Sequence, residues 1–279
     1  MRSPLLFLVG FGLVACGPDD RNNMGTPDAT GSDAPVTKMD APPVVDTSRV
    51  FAHSGQRLYQ LNTTTLAAEE IGAFANTGTQ SITDIAIDKN DRMLGITMDK
   101  LYEINPTTGA ATMLANLDAS ADGFTSLSFI PVAGNDILVS ANDQGGVFRI
   151  DITAGSASMI GSYGMVGPDQ IRSSGDLIGV QGLGIYATVD RGDIPGDYLA
   201  KIDETTWQAT LAPNPTGFDK IFGLGFWAGK FYGFVDDGFD AGSGKIIEID
   251  PDTGIGTVVL QENIRWFGAG VATDAPILQ

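Results

Sequence analysis

Thirty-four acidic side chains, one histidine and one cysteine set the chemistry open to this chain of 279 residues. Cleaving a glycosidic bond needs two carboxyl groups about 5 to 10 Å apart, one as acid and one as base or nucleophile. Asp84, Asp176 and Asp219 are the candidates, because each falls on or just before the first strand of a different repeat. A Ser-His-Asp triad would have to use His53, beside Ser54-Gly55; a strand residue or a loop-facing polar group is the plainer reading. Carboxylates on flexible loops suit Ca²⁺, a hard cation that takes oxygen ligands. One acidic segment carries Asp190, Asp193 and Asp197, and another carries Asp236, Asp237 and Asp240 among glycines. Neither has the Asp-x-Asp-x-Asp-Gly spacing of an EF-hand, and solvated turn residues are the alternative. No other cofactor is expected. Trp227, Trp266 and Tyr232 could stack on a sugar ring, although packing between repeats needs such residues too.

What must position these groups is a repeat. A five-residue phrase recurs as Leu58-Tyr59-Gln60-Leu61-Asn62, Leu101-Tyr102-Glu103-Ile104-Asn105, Val147-Phe148-Arg149-Ile150-Asp151, Leu199-Ala200-Lys201-Ile202-Asp203 and Ile246-Ile247-Glu248-Ile249-Asp250. Its fourth residues, at 61, 104, 150, 202 and 249, are 43, 46, 52 and 47 apart. Such a period, with short strands and Gly, Asn, Asp and Pro turns, predicts a β-propeller. In the second repeat the strands are expected over 82–88, 92–98, 100–105 and 111–117. The turn Asn105-Pro106-Thr107-Thr108-Gly109 returns as Asp250-Pro251-Asp252-Thr253-Gly254, keeps Thr and Gly at Asp151 to Gly155, and is degenerate at Asn62 to Leu66 and Asp203 to Trp207. First strands align on an apolar–small pair: Ile85-Ala86, Leu127-Ser128, Leu224-Gly225 and Ala269-Gly270. The first repeat holds three strands, and Trp266 to Ala272 is a spare one. The fold class is therefore all-β, a five-bladed propeller closed by the C-terminal strand pairing into the first blade, with Val50 and Val271 in one blade. Closure of this kind removes exposed sheet edges.

The phrase Leu-Tyr-x-Ile-Asn/Asp-Pro-x-Thr-Gly resembles the repeats of secreted bacterial propellers of the quinoprotein-like and YVTN-like kind. The chain lacks the Trp that follows the turn in quinone-binding repeats, so no quinone is carried over.

Arg2 and the apolar run Leu5 to Val14 read as a signal peptide, too short to span a bilayer. Leu13-Val14-Ala15-Cys16 resembles the bacterial lipobox, which implies cleavage before Cys16 and acylation, palmitate included, on that cysteine. The expected organisation is a signal peptide over 1–15, a lipidated Cys16 with a Pro/Asp-rich disordered tether over 16–48, the propeller over 49–276 and a tail over 277–279. By resemblance to enterobacterial lipoprotein sorting, Gly17 after the cysteine implies the outer membrane or cell surface of a Gram-negative bacterium. No second cysteine is present for a disulfide or a thiolate zinc site.

The formal net charge of −18 repels nucleic acid and anionic lipid head groups, and leaves cationic and neutral partners admissible. Together these features imply a monomeric propeller, held to a membrane by its lipidated N-terminus and acting as a binding scaffold for a glycan or protein. The alternative is a glycan-active hydrolase with its carboxylates at the channel.

Overall fold

The computed structural model describes residues 46–117, 123–132, 135–238 and 243–276. Cys16 and Asp240 lie outside the described residues, as do the signal peptide and nearly all of the tether.

Five antiparallel sheets form five blades. The first contains β1 (Val50–His53), β2 (Arg57–Leu61), β3 (Ala68–Ala73) and the last strand, β21 (Gly268–Val271), in the order β21-β1-β2-β3. Val50 pairs directly with Val271 and His53 with Gly268, so the C-terminal strand closes the ring as the spare strand predicts. The second blade contains β4 (Asp84–Ile87), β5 (Met93–Ile96), β6 (Lys100–Ile104) and β7 (Ala111–Asn116). These strands fall inside the expected spans, trimmed by one or two residues at their ends. The third contains β8 (Ser128–Val132), β9 (Asn135–Ala141), β10 (Gly146–Asp151) and β11 (Ser156–Ser162). The fifth contains β17 (Ile221–Trp227), β18 (Lys230–Asp236), β19 (Gly244–Ile249) and β20 (Gly256–Glu262).

The fourth blade accounts for the longest interval in the repeat. It has five strands: β12 (Met165–Val166), β13 (Asp169–Val180), β14 (Gly184–Arg191), β15 (Tyr198–Ile202) and β16 (Ala209–Leu211). The first part of β13 pairs with β12, and its register against β14 slips between Ser173 and Leu177. This bulge re-aims the intervening residues, Asp176 among them.

The recurring turns share one mechanism, including the two whose sequences look degenerate. In each, the Asn or Asp side chain accepts backbone N–H groups two or three residues on, as Asn105 does from Thr107 at 2.9 Å and Asp203 does from Thr206 at 2.7 Å. Each turn then ends in a left-handed residue. Gly109 takes that place at φ 73°, whereas Leu66 and Trp207 adopt it at 62° and 64°. A side chain there costs about 1 kcal/mol. Both side chains are buried, and that burial offsets the strain.

The core is a set of interblade layers, not one central mass. Leu58, Ile85, Ile87 and Tyr102 pack between the first and second blades, and Val139, Val189, Tyr198 and Trp207 between the third and fourth. Val50, Trp227, Phe234 and Trp266 fill the seam between the fifth and first.

Candidate functional site

The innermost strands converge on a narrow axis, and there Asp84 and Asp176 meet. Both are fully buried and hydrogen-bonded to each other. Asp84 Oδ1 accepts the N–H of Ile85 at 2.8 Å, and Oδ2 accepts that of Leu127 from the third blade at 2.6 Å. Asp176 accepts the N–H of Leu177 at 2.7 Å, that of Leu224 from the fifth blade at 3.2 Å, and that of Ala269 on β21. Burial, the largest cause, raises the pKa of both carboxyls well above the usual carboxylate range. For Asp84 the neighbouring Asp176 adds to that rise; for Asp176 the hydrogen bonds from Asp84 and three backbone N–H groups oppose it. The two carboxyls therefore titrate as a pair that keeps a proton above the usual carboxylate range.

His53 faces the pair from β1. Its Nδ1 lies 2.9 Å from the Ser54 carbonyl, which can only accept, so Nδ1 carries the proton. Nε2 is then a bare lone pair 3.9 Å from Asp84 Oδ1, with no hydrogen-bond partner. Burial lowers the His53 pKa to about 4, the Ser54 hydrogen bond opposing it, so the ring is neutral at pH 7. Among the described residues no serine hydroxyl bonds to it, and no triad is assembled. Gly268 lies against both groups: a Cβ there would collide with Asp84 Oδ1 and His53 Nε2. The Tyr163 hydroxyl is also buried without a partner; burial, and then the charge of Asp176, pushes its pKa up.

Asp219 does not join them. It is exposed and accepts the Gly196 N–H at 2.8 Å, in the loop before β17. The positions equivalent to Asp84 and Asp176 are Ser126, Gly223 and Gly268, each just before the apolar–small pair. Asp219 lies four residues too early. The two acids that do converge are in direct hydrogen-bond contact, closer than the separation a glycosidase needs. The cavity reaching Asp176 from one end of the channel measures about 40 Å³, enough for water but not for a sugar.

The acidic loops resolve into separate roles. Asp236 is buried and held by Arg265 through Nε at 2.8 Å and Nη2 at 2.6 Å. Burial pushes its pKa up, but Arg265 and the Gly238 N–H outweigh that and leave it below the usual range. Asp237 pairs with Lys245 at 2.7 Å. Asp197 is buried, accepts Ser174 Oγ at 2.5 Å and the Ile221 N–H at 2.8 Å, and is pushed by burial to a pKa of about 6. Asp190 is half-buried and Asp193 exposed. Among the described residues no three His, Cys, Asp or Glu side chains gather as a metal-binding group.

The aromatic candidates belong to the seam, which corrects their reading as a sugar platform. Trp227 and Trp266 are fully buried, and Tyr232 is buried as well. Trp227 stacks on Tyr232 at 3.9 Å, and its indole N–H donates to the Thr63 carbonyl of the first blade. Trp266 meets Tyr59 and Phe234 edge-on, both at 5.6 Å. Closing a ring between its last and first blades consumes these faces.

One concavity has no pointer in the sequence. A groove of about 490 Å³ lies between the third and fourth blades, at the end of the ring away from Asp193, with Ile130, Pro131 and Val180 on its walls and Lys201 and Glu204 at its edge.

No family model matches the chain, and no curated protein matches it. A crystal structure of a protein of unknown function from Bacteroides caccae is similar at a TM-score of 0.50 and 11% identity, over 80% of this chain and 98% of that one. The structure of TolB from Acinetobacter baumannii gives a TM-score of 0.46 at 13% identity, over 80% of this chain and 53% of TolB. At these identities the likeness is one of fold.

Proposed function

We propose that this chain is an exported bacterial lipoprotein, tethered through Cys16, whose propeller presents its loop face as a binding scaffold. One observation carries the reading. The channel acids are spent on one another and on backbone N–H groups, while the departures from the repeat collect at the opening of the fourth blade. There β12 and the first part of β13 adjoin the loop from Gly192 to Asp197; the Gly192 N–H donates to the Gln170 carbonyl, and Arg191 pairs with Asp169 at 3.0 Å. A propeller ring needs neither addition. On the same face Asp193 and Asp219 are exposed and form no ion pair with a Lys or Arg among the described residues. Asp236 and Asp237 are neutralised, and Asp190 is half-buried opposite Arg172, whose charge acts on it. Uncompensated carboxylates on an exposed face favour a partner that is cationic, or neutral and hydrogen-bonding.

The test is made in cells expressing the full-length chain, with a photo-crosslinker placed at Asp193 or at Glu204 in the opposite groove. Adducts to a defined partner from Asp193 and not from Glu204 are the expected result; the reverse pattern would refute a loop-face scaffold. Incorporation of labelled palmitate that survives Cys16→Ser would refute the tether.

A further inference from the structure

The innermost strand of a propeller blade has one edge with no ladder partner, and its buried backbone groups must be satisfied some other way. Here the answer is two side chains for five blades. Ile85 and Leu127 donate to Asp84, and Leu177, Leu224 and Ala269 donate to Asp176. One donor comes from each blade. Two ionised carboxylates have acceptors only, so the hydrogen bond between Asp84 and Asp176 requires a proton between them. No Lys or Arg forms an ion pair with either acid among the described residues. The titratable groups facing the pair are His53 from β1, neutral and 3.9 Å from Asp84, and Tyr163 from the segment before β12. The other innermost strands contribute Ser126, Gly223 and Gly268 at the same level, none of which titrates.

We propose that the Asp84–Asp176 pair is a proton-held lock on ring closure: one proton lets two touching acids bind all five inner strands, and its removal releases the ring at β21. Release falls at β21 because that strand belongs to the first blade by pairing alone, the chain entering it from the fifth. Its Ala269 N–H depends on Asp176, which would then face a second anion with no Lys or Arg ion pair to offset it among the described residues. The narrow cavity bordered by Asp176 and Ala269 gives water a route for the exchange.

The sign follows from proton linkage. The folded pair holds a proton that the unfolded acids give up just above their ordinary pKa, so the pair's contribution to stability is greatest in acid. It falls as pH rises from that point through the raised folded pKa, by at most tenfold in the unfolding constant per pH unit for one proton.

The experiment uses the purified full-length chain. Infrared spectra at neutral pH should show the carbonyl stretch of a buried protonated carboxylic acid, lost in Asp84→Asn. Amide hydrogen exchange, corrected for intrinsic rate, should show protection of β21 falling with rising pH well before that of β18. In Asp84→Asn the amide donates to Asp176 without a shared proton, so the pH dependence of β21 protection should flatten even if overall stability is lower. Absence of the acid band in the wild type, or β21 protection that tracks β18 at every pH, would overturn the lock. Should Asp84→Asn fail to fold, these two wild-type measurements still decide the question.

Discussion

Two buried carboxylate sites, one in the channel and one on the loop face, solve the same problem in opposite ways. Asp236 keeps its charge because Arg265 sits against it and is itself partly solvated. Asp84 and Asp176 have no Lys or Arg ion pair among the described residues, so they share a proton and spend their remaining capacity on backbone N–H groups. Taking a carboxylate out of water costs several kcal/mol unless it is paired or neutralised. Which solution applies is set by what the neighbouring strand can supply. The segment before β21 can extend an arginine into the solvent-facing rim, whereas the axis has room only for glycine, serine and short acids. The lesson is that an acidic cluster in this fold cannot be read for chemistry until the partner of each carboxyl is known.

The largest effect that would break this comparison is Asp176→Ala. It strands the N–H groups of Leu177, Leu224 and Ala269 and leaves Asp84 without its partner. At 1 to 3 kcal/mol for each unsatisfied buried group, the loss should be on the order of 4 kcal/mol in denaturant unfolding. A loss below about 1 kcal/mol would mean that water replaces the carboxyl readily.

Arg265→Ala tests the other site. It should cost about 2 kcal/mol, less than breaking a fully enclosed pair because the arginine is 23% exposed. The pH response separates the two sites further. The lowered pKa of Asp236 contributes stability that is present above its unfolded value and lost as pH falls through the folded one, opposite in sign to the channel pair. Subtracting the unfolding free energy of Arg265→Ala from that of the wild type at each pH should therefore give a difference that shrinks in acid. A difference independent of pH would show that Arg265 acts through packing alone.

Asp197 lies between these extremes, neutralised neither by a cation nor by a second acid. A carboxyl-detected NMR titration should place its midpoint near pH 6, and Ser174→Ala should move that midpoint upward at a cost of about 1 kcal/mol. Because the folded pKa is raised, stability from this group is present below the ordinary carboxylate pKa and lost as pH rises through about 6. The smallest effect belongs to Asp219→Asn. That residue is exposed, and an asparagine oxygen can still accept the Gly196 N–H, so stability should change by less than about 0.5 kcal/mol.

Much of the frame was legible before any coordinates. The phrase whose fourth residue is Leu61, Ile104, Ile150, Ile202 or Ile249 marks the next-to-last strand of every blade, because alternation and turn chemistry act over a few residues. The turns at Asn62 and Asp203 look degenerate only if glycine is required; what persists is the side-chain acceptor, with Leu66 and Trp207 taking the left-handed place. The candidate site was half legible. Asp84 stands directly before its apolar–small pair, and Asp176 stands directly before Leu177. Asp219 could have been set aside by the same alignment, since Gly223 occupies that place. The bulge in β13 obscured the comparison by adding residues where the period would not place them.

The sequence by itself determined the number of blades and the strand that closes them, because these follow from local patterns counted along the chain. Only the tertiary structure decided that Asp84 and Asp176, 92 residues apart, share a proton while Asp236 keeps its charge. Protonation depends on burial and on neighbours brought in from other blades. Neither exists until the ring has closed.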